Sequence, residues 1–261
     1  MMKMTFLGTG TSCGIPQPGC HCPVCTSQDP RDKRLRCSAL FESGDVRILM
    51  DCGPDFREQM LRLDWDKPFD AVFITHEHYD HVGGIDDLRP FTYHRPETHM
   101  YADPYCARHL RERLPYCLVN HTYPGIPKIE LHDINPHDVI RIGDIGVTAL
   151  KVMHGELPIM GYRVGDIGYI TDMTEIEEES VRLLKGIKIL TVNALRHYDH
   201  PTHQTVEKAC EFSKLIAGMN GRETIPTYLI HMSHHMGRHA DEDAMLPTDV
   251  HLAYDGLVLT I

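Results

Sequence analysis

Basic residues are scarce in this chain: 26 Lys and Arg stand against 37 Asp and Glu, for a net charge of −11 with histidines neutral. That balance argues against a broad nucleic-acid footprint, which needs clustered Lys and Arg. It does not exclude a small phosphorylated substrate, because a local metal site can supply the positive charge. Long uncharged apolar runs are also missing, so no transmembrane helix and no membrane partner are predicted. The first residues, Met1-Met2-Lys3-Met4-Thr5-Phe6-Leu7-Gly8, lack the apolar stretch of a secretory signal, and the expected location is the cytoplasm. The loop Gly8-Thr9-Gly10-Thr11-Ser12 lacks the Gly-Lys-Ser/Thr ending of a P-loop, which leaves it as a packed turn or an amide-rich edge of a site. No internal repeat, low-complexity tract or linker divides the 261 residues. One α/β domain over 1–261 is therefore expected.

Histidine, by contrast, is abundant, with 19 residues. Three of them fall in Ala71-Val72-Phe73-Ile74-Thr75-His76-Glu77-His78-Tyr79-Asp80-His81-Val82-Gly83-Gly84-Ile85. The apolar run 71–74 reads as a buried strand. His76, His78, Asp80 and His81 follow at i, i+2, i+4 and i+5, and two glycines then permit a tight turn. Imidazole and carboxylate at this density suit zinc, manganese or iron. They emerge where a rigid strand gives way to a loop, a common place for catalytic groups.

Similar ligand types recur at later strand ends. Residues 138–142 and 147–152 read as a hairpin, and His154 closes its second strand. A second hairpin, 161–164 with 167–171, ends at Asp172. A strand at 227–230 leads into His231-Met232-Ser233-His234. Asp51 ends a strand at 46–50, where it either accepts from a metal-bound imidazole or caps the helix that runs to about residue 63. Thr174-Glu175-Ile176-Glu177 reads as a capping box opening an acidic helix to about residue 185. Asp103-Pro104 reads as an N-cap and first helical residue, and a further helix is expected at about 205–219. His76, His78, Asp80, His81, His154, Asp172 and His231 exceed what one tetrahedral zinc can hold. They suit two metals about 3.5–4 Å apart.

Nine cysteines in a chain without a signal are expected as thiols or metal ligands, not disulfides. Cys20, Cys22 and Cys25 form a C-x-C-x-x-C claw in a loop near 13–37 that contains Pro16, Pro18 and Gly19. A closed zinc site needs a fourth ligand: Cys13, His21, Cys37 or a distant histidine.

The His-x-His-x-Asp-His run and the order of the later ligands resemble the metallo-β-lactamase superfamily across nearly the whole chain. The segments 8–12, 51–57, 200–203 and 231–234 narrow the likeness to the PhnP-type phosphodiesterases, relatives of the tRNA 3′-processing endoribonuclease Z. The resemblance implies a four-layered αββα sandwich. It implies one metal on His76, His78 and His154, another on Asp80, His81 and His231, and Asp172 between them. It implies a structural zinc on Cys20, Cys22, Cys25 and His234, and a homodimer. His203 matches the family's proton donor, with His200 as runner-up; Asp80 and His203 would be catalytic, and His200 and Arg196 would contact substrate. The implied activity is hydrolysis of a small cyclic or nucleotide-like phosphodiester by a metal-bridging hydroxide, with zinc, manganese, iron or nickel as the active-site metals. The alternatives are a tRNA 3′ endonuclease, disfavoured by the charge and by the lack of a basic arm, and a non-catalytic metal-binding protein on the same scaffold.

Overall fold

Runs such as Ile48-Leu49-Met50 and Ala71-Val72-Phe73 are apolar at every position because both faces of their strands are covered. The computed structural model describes residues 1–92, 98–119 and 125–261. One sheet contains β1 (Met2–Gly8), β2 (Ser38–Ser43), β3 (Val46–Met50), β4 (Ala71–Phe73), β5 (Thr98–Ala102), β6 (Ile129–Asp133) and a late strand, Val258–Thr260, which lies beside β1. The other contains β7 (Val139–Ile142), β8 (Ile145–His154), β9 (Leu157–Val164), β10 (Ile167–Ile170), β11 (Glu175–Ile176), β12 (Ile189–Asn193), β13 (Thr227–Ile230) and β14 (Val250–Leu252). The late strand Val258–Thr260 is β15.

Strand periodicity sorts the side chains into three apolar layers. Met4, Phe6, Phe41, Ile48, Met50 and Phe73 face Val147, Ala149, Tyr162, Val164 and Tyr169 between the sheets. The alternate residues Leu7, Leu40, Leu49 and Val72 point outward. They pack under the helices α1 (Phe56–Arg62), α2 (Tyr79–Val82), α3 (Arg89–Thr92), α4 (Pro104–Arg113) and α5 (Pro115–Leu118). On the far side Leu150, Val152, Ile170, Leu190 and Val192 pack under α6 (Glu178–Leu183) and α7 (Val206–Met219). A short α8 (His239–Asp243) sits beside β14. The result is the helix–sheet–sheet–helix sandwich that the resemblance implies.

Several elements match their expected chemistry. Asp103 caps α4 by accepting from the backbone N–H of Tyr105 and Cys106, with Pro104 as the first helical residue. Thr205 caps α7, which ends at Asn220. One expectation needs correction. The capping box does not form: Glu175 and Ile176 pair with Met153 and Val152, and the Thr174 hydroxyl donates to the Met153 carbonyl. The helix starts later, at Glu178. Both expected hairpins form, β7 with β8 and β9 with β10, and the pairing of β8 with β9 joins them into one meander. The chain turns at Gly83 and Gly84 behind the histidine run, as expected, and the glycines also permit close approach. A Cβ on Gly84 would lie 2.1 Å from the Gly53 carbonyl oxygen, and one on Gly53 would lie 2.0 Å from that of Asp80. The loop before α1 therefore lies directly against the turn that carries Asp80.

Candidate metal centre

β8, β10, β12 and β13 run in the same direction, so their C-terminal ends share one margin of their sheet. His154 is the last residue of β8, while Asp172 lies just beyond β10 and His231 just beyond β13. In the other sheet β3 and β4 are parallel, and their C-terminal ends carry Asp51 and the His76–His81 turn. The sandwich thus delivers to one place the ligands that are scattered in sequence.

All seven candidate residues converge. The sets His76, His78 and His154; His76, His81 and Asp172; and Asp80, His81 and His231 each bring their ligand atoms within 4.8 Å of one another. His81 Nε2 is 3.2 Å from Asp80 Oδ2 and 3.3 Å from Asp172 Oδ2. His231 Nε2 is 3.1 Å from Asp172 Oδ1 and 3.6 Å from Asp80 Oδ2. His76 Nε2 and His78 Nδ1 are 2.9 Å apart. The two carboxylates of Asp80 and Asp172 thus sit in a ring of imidazoles, and Asp172 reaches His81 with one oxygen and His231 with the other while also grouping with His76.

The surroundings prepare these rings to act as donors. His81 Nδ1 lies 2.7 Å from Asp51 Oδ2, so the proton on that nitrogen is donated to the carboxylate and Nε2 faces Asp80 and Asp172. Asp51 also accepts from the Thr75 backbone N–H at 2.8 Å and from its hydroxyl. This selects between the two expected roles of Asp51: it orients a histidine and does not cap α1. His154 Nδ1 donates to the Thr202 carbonyl at 2.7 Å, which frees its other nitrogen. Thr75 and the Thr202 carbonyl were not legible as parts of the site. Thr75 only precedes the histidine run, and a backbone carbonyl carries no sequence signal.

Electrostatics and hydrogen bonding both fit a divalent cation. Burial opposes charge on His81, yet Asp80, Asp51 and Asp172 outweigh it and hold the ring well above its ordinary value. Burial likewise opposes charge on Asp172, and His231 and His81 hold it well below the carboxylate range. Protons stand here in the role a cation takes. His81 Nε2 and both nitrogens of His231 are buried without a hydrogen-bond partner. Such orphaned donors are costly unless a ligand meets them. The all-imidazole and carboxylate donor set suits zinc, manganese, iron or nickel.

Three of the residues here adopt a backbone conformation that glycine prefers. Asp51, Asp172 and His231 have φ of 58°, 55° and 57°, each directly or one residue beyond a strand. Left-handed non-glycine residues are uncommon and cluster at functional sites.

His203 lies over the same cluster, its ring centroid 4.7 Å from that of His154 and 4.9 Å from that of His231. Its Nδ1 is buried, 3.7 Å from Asp172 Oδ1, with no hydrogen-bond partner. Burial and then the neighbouring His231 push it down to about 3, so its resting ring is neutral, not protonated as a ready donor. His200 is next to it, 5.1 Å between centroids, and its Nδ1 is engaged by Thr202. Arg196 lies in the loop that leads to His200 and His203. Its guanidinium stacks 4.0 Å from the Tyr198 ring centroid and donates to the Tyr198 and Asp199 carbonyls, so its hydrogen bonds go into its own loop.

A second donor group stands apart. Cys20, Cys22 and Cys25 place their sulfurs 3.2, 3.4 and 3.6 Å from His234 Nδ1. Tetrahedral zinc with bonds of about 2.0–2.3 Å separates such atoms by about 3.5 Å. Of the candidate fourth ligands, the distant His234 is the one that groups with the three sulfurs. Cys13 is exposed, Cys37 is buried in the core between the sheets, and all nine cysteines are free thiols.

Comparison with known proteins follows the same lines. The family model described as a β-lactamase superfamily domain matches residues 46–232. An octanoyltransferase of Porphyromonas gingivalis is 43% identical over 258 residues, which are 98% of this chain and 51% of that protein. A ribonuclease Z of Thermosynechococcus vestitus is 28% identical over 167 residues, 62% of this chain and 36% of its own length. The chain therefore spans about half the length, or less, of these curated relatives. A crystal structure of a new diphosphatase from the PhnP family superposes with a TM-score of 0.87 at 37% identity, covering 99% of this chain and 96% of that one.

Proposed function

From a chain that belongs to the metallo-β-lactamase superfamily, and within it to the PhnP family, we propose a metal-dependent hydrolase that cleaves a small phosphodiester. The observation that carries this reading is the convergence of seven imidazole and carboxylate donors, with Asp172 between the two halves and the neutral, unpartnered His203 beside them. His76, His78 and His154 would hold one cation, Asp80, His81 and His231 the other, and Asp172 would touch both. Cations bound there supply charge against phosphoryl oxygens and a water acidic enough to attack phosphorus near neutral pH.

The protein's own groups do the rest. Asp51 and the Thr202 carbonyl fix the tautomers of His81 and His154, so the donors need no rearrangement. His203, beside His154, His231 and Asp172, would face the leaving oxygen of a phosphodiester held there. A phosphate anion next to a desolvated imidazole raises its proton affinity. The ring can then take up the proton given off by the attacking water and pass it to the alkoxide released when the phosphorus–oxygen bond breaks. The Cys20, Cys22, Cys25 and His234 group would hold a structural zinc.

A second reading is cleavage of a diphosphate, favoured by the 37% identical diphosphatase. The same donors would serve, since both reactions displace an oxygen from phosphorus. The test is hydrolysis of bis(p-nitrophenyl) phosphate and of a dinucleoside diphosphate by protein loaded with zinc or manganese. We expect turnover of at least one, lost on treatment with a chelator and in His76→Ala. Undiminished turnover in His76→Ala, or none with any divalent metal, overturns the reading.

A further inference from the structure

Away from the centre, β5 and β6 run parallel at the margin of the first sheet, with His99 opposite Glu130 and Tyr101 opposite His132. Side chains two residues apart share a face of a strand, so His99 joins Tyr101 and Glu130 joins His132. Tyr101 packs against the apolar layer between the sheets and stacks on Phe73 at 4.7 Å. The His132 ring stacks in turn on Tyr101 at 4.9 Å. The aromatic row fixes His132 where the sheet's inner face opens to solvent: the side chains of His99, Glu130 and His132 are 45, 51 and 32% exposed.

Three ligand atoms meet there. His99 Nδ1 is 3.0 Å from His132 Nε2 and 3.2 Å from Glu130 Oε2, and His132 Nε2 is 3.8 Å from the same carboxylate oxygen. A tetrahedral zinc with bonds of about 2.0–2.1 Å separates its ligand atoms by about 3.3–3.4 Å. The three distances bracket that edge. A hydrogen bond can satisfy one pair at a time, since His99 Nδ1 has a single in-plane proton. A cation between the three atoms satisfies all of them together.

We propose that His99, Glu130 and His132 form a further divalent transition-metal site, separate from both donor groups described above, with zinc the fitting occupant. Two imidazoles and one carboxylate are a borderline donor set that favours such metals over calcium or magnesium. Three protein ligands leave a position open to water or an anion. Because the ligands come from both strands, the metal ties the margin strand β6 to its single partner β5. The site thus acts on the stability of the sheet and not on the hydrolytic step.

The test is calorimetric titration of zinc into the full chain whose other two sites are already loaded. Wild type is expected to bind one further equivalent. Binding should weaken at least tenfold in Glu130→Gln, a solvent-facing change that leaves the core intact, and should disappear in His132→Gln. Anomalous diffraction at the zinc edge should place an ion between the three side chains, and phosphoesterase turnover should be unchanged in both variants. The same stoichiometry and affinity in wild type, Glu130→Gln and His132→Gln would falsify the site. So would a map without an anomalous peak there at saturating zinc.

Discussion

His203 touches the reacting region without belonging to either ligand set, so its removal separates proton delivery from metal binding. His203→Ala should lower kcat by roughly 10²–10⁴-fold, the usual worth of a positioned proton donor. The content of the active-site metals, measured by mass spectrometry, should stay at the wild-type level. If metal is lost along with activity, the ring is a ligand and not a donor. At this scale the sequence was unusually legible. His76 to His81 lie within six positions, and a local cluster advertises itself. Asp51 was ambiguous because an aspartate before a helix serves equally well as a cap. Only the 2.7 Å contact to His81, 30 residues away, separates the two roles.

The Cys20–Cys25 loop is a long irregular stretch whose apolar contacts are few: Ile15, Val24 and Cys25 form a small cluster of their own. A metal held there, as proposed, would supply the cohesion that so small a core does not. Cys22→Ser should release one zinc per chain and lower Tm by several degrees, read by metal analysis and calorimetry. Hydrolysis should fall only in part, because His231 is three residues from His234 but hangs from β13. An unchanged zinc count would remove this metal from the protein. Elements were legible where chemistry is local, as at the Asp103-Pro104 helix start. They were lost where a distant partner decides: Thr174 gives its hydroxyl to Met153 instead of capping a helix. β2 had no distinctive pattern, since Ser38, Glu42 and Ser43 leave only a three-residue apolar run.

For the whole molecule, acid should act through a buried pair outside the catalytic donors. Arg34 donates to His239 Nδ1 at 3.0 Å, and His239 packs edge-on against Tyr254 and gives its backbone N–H to Asp32. Burial, then Arg34 and Arg31, push His239 down to about 4, against the opposing pull of Asp243 and Asp29. Below about 6.5 the unfolded chain takes a proton that the folded one refuses. The stability this histidine contributes is present above that pH and is lost as pH falls toward 4, up to about 3 kcal/mol. Denaturant unfolding at pH 7 and pH 5 should show a larger acid loss in wild type than in His239→Gln. Equal losses would mean that the pair does not titrate in this window. The left-handed backbones of Asp51, Asp172 and His231 act across the molecule in another way. Each stores about 1–3 kcal/mol that a glycine would release, and each glycine would also remove a buried polar side chain. A glycine at Asp51 would leave His81 and Thr75 without the carboxylate they share, and glycine also costs chain entropy on folding. Relief of these backbones is thus tied to loss of the centre: Asp172→Gly should lose bound metal while its metal-free form melts no lower than metal-free wild type, read by metal analysis and calorimetry.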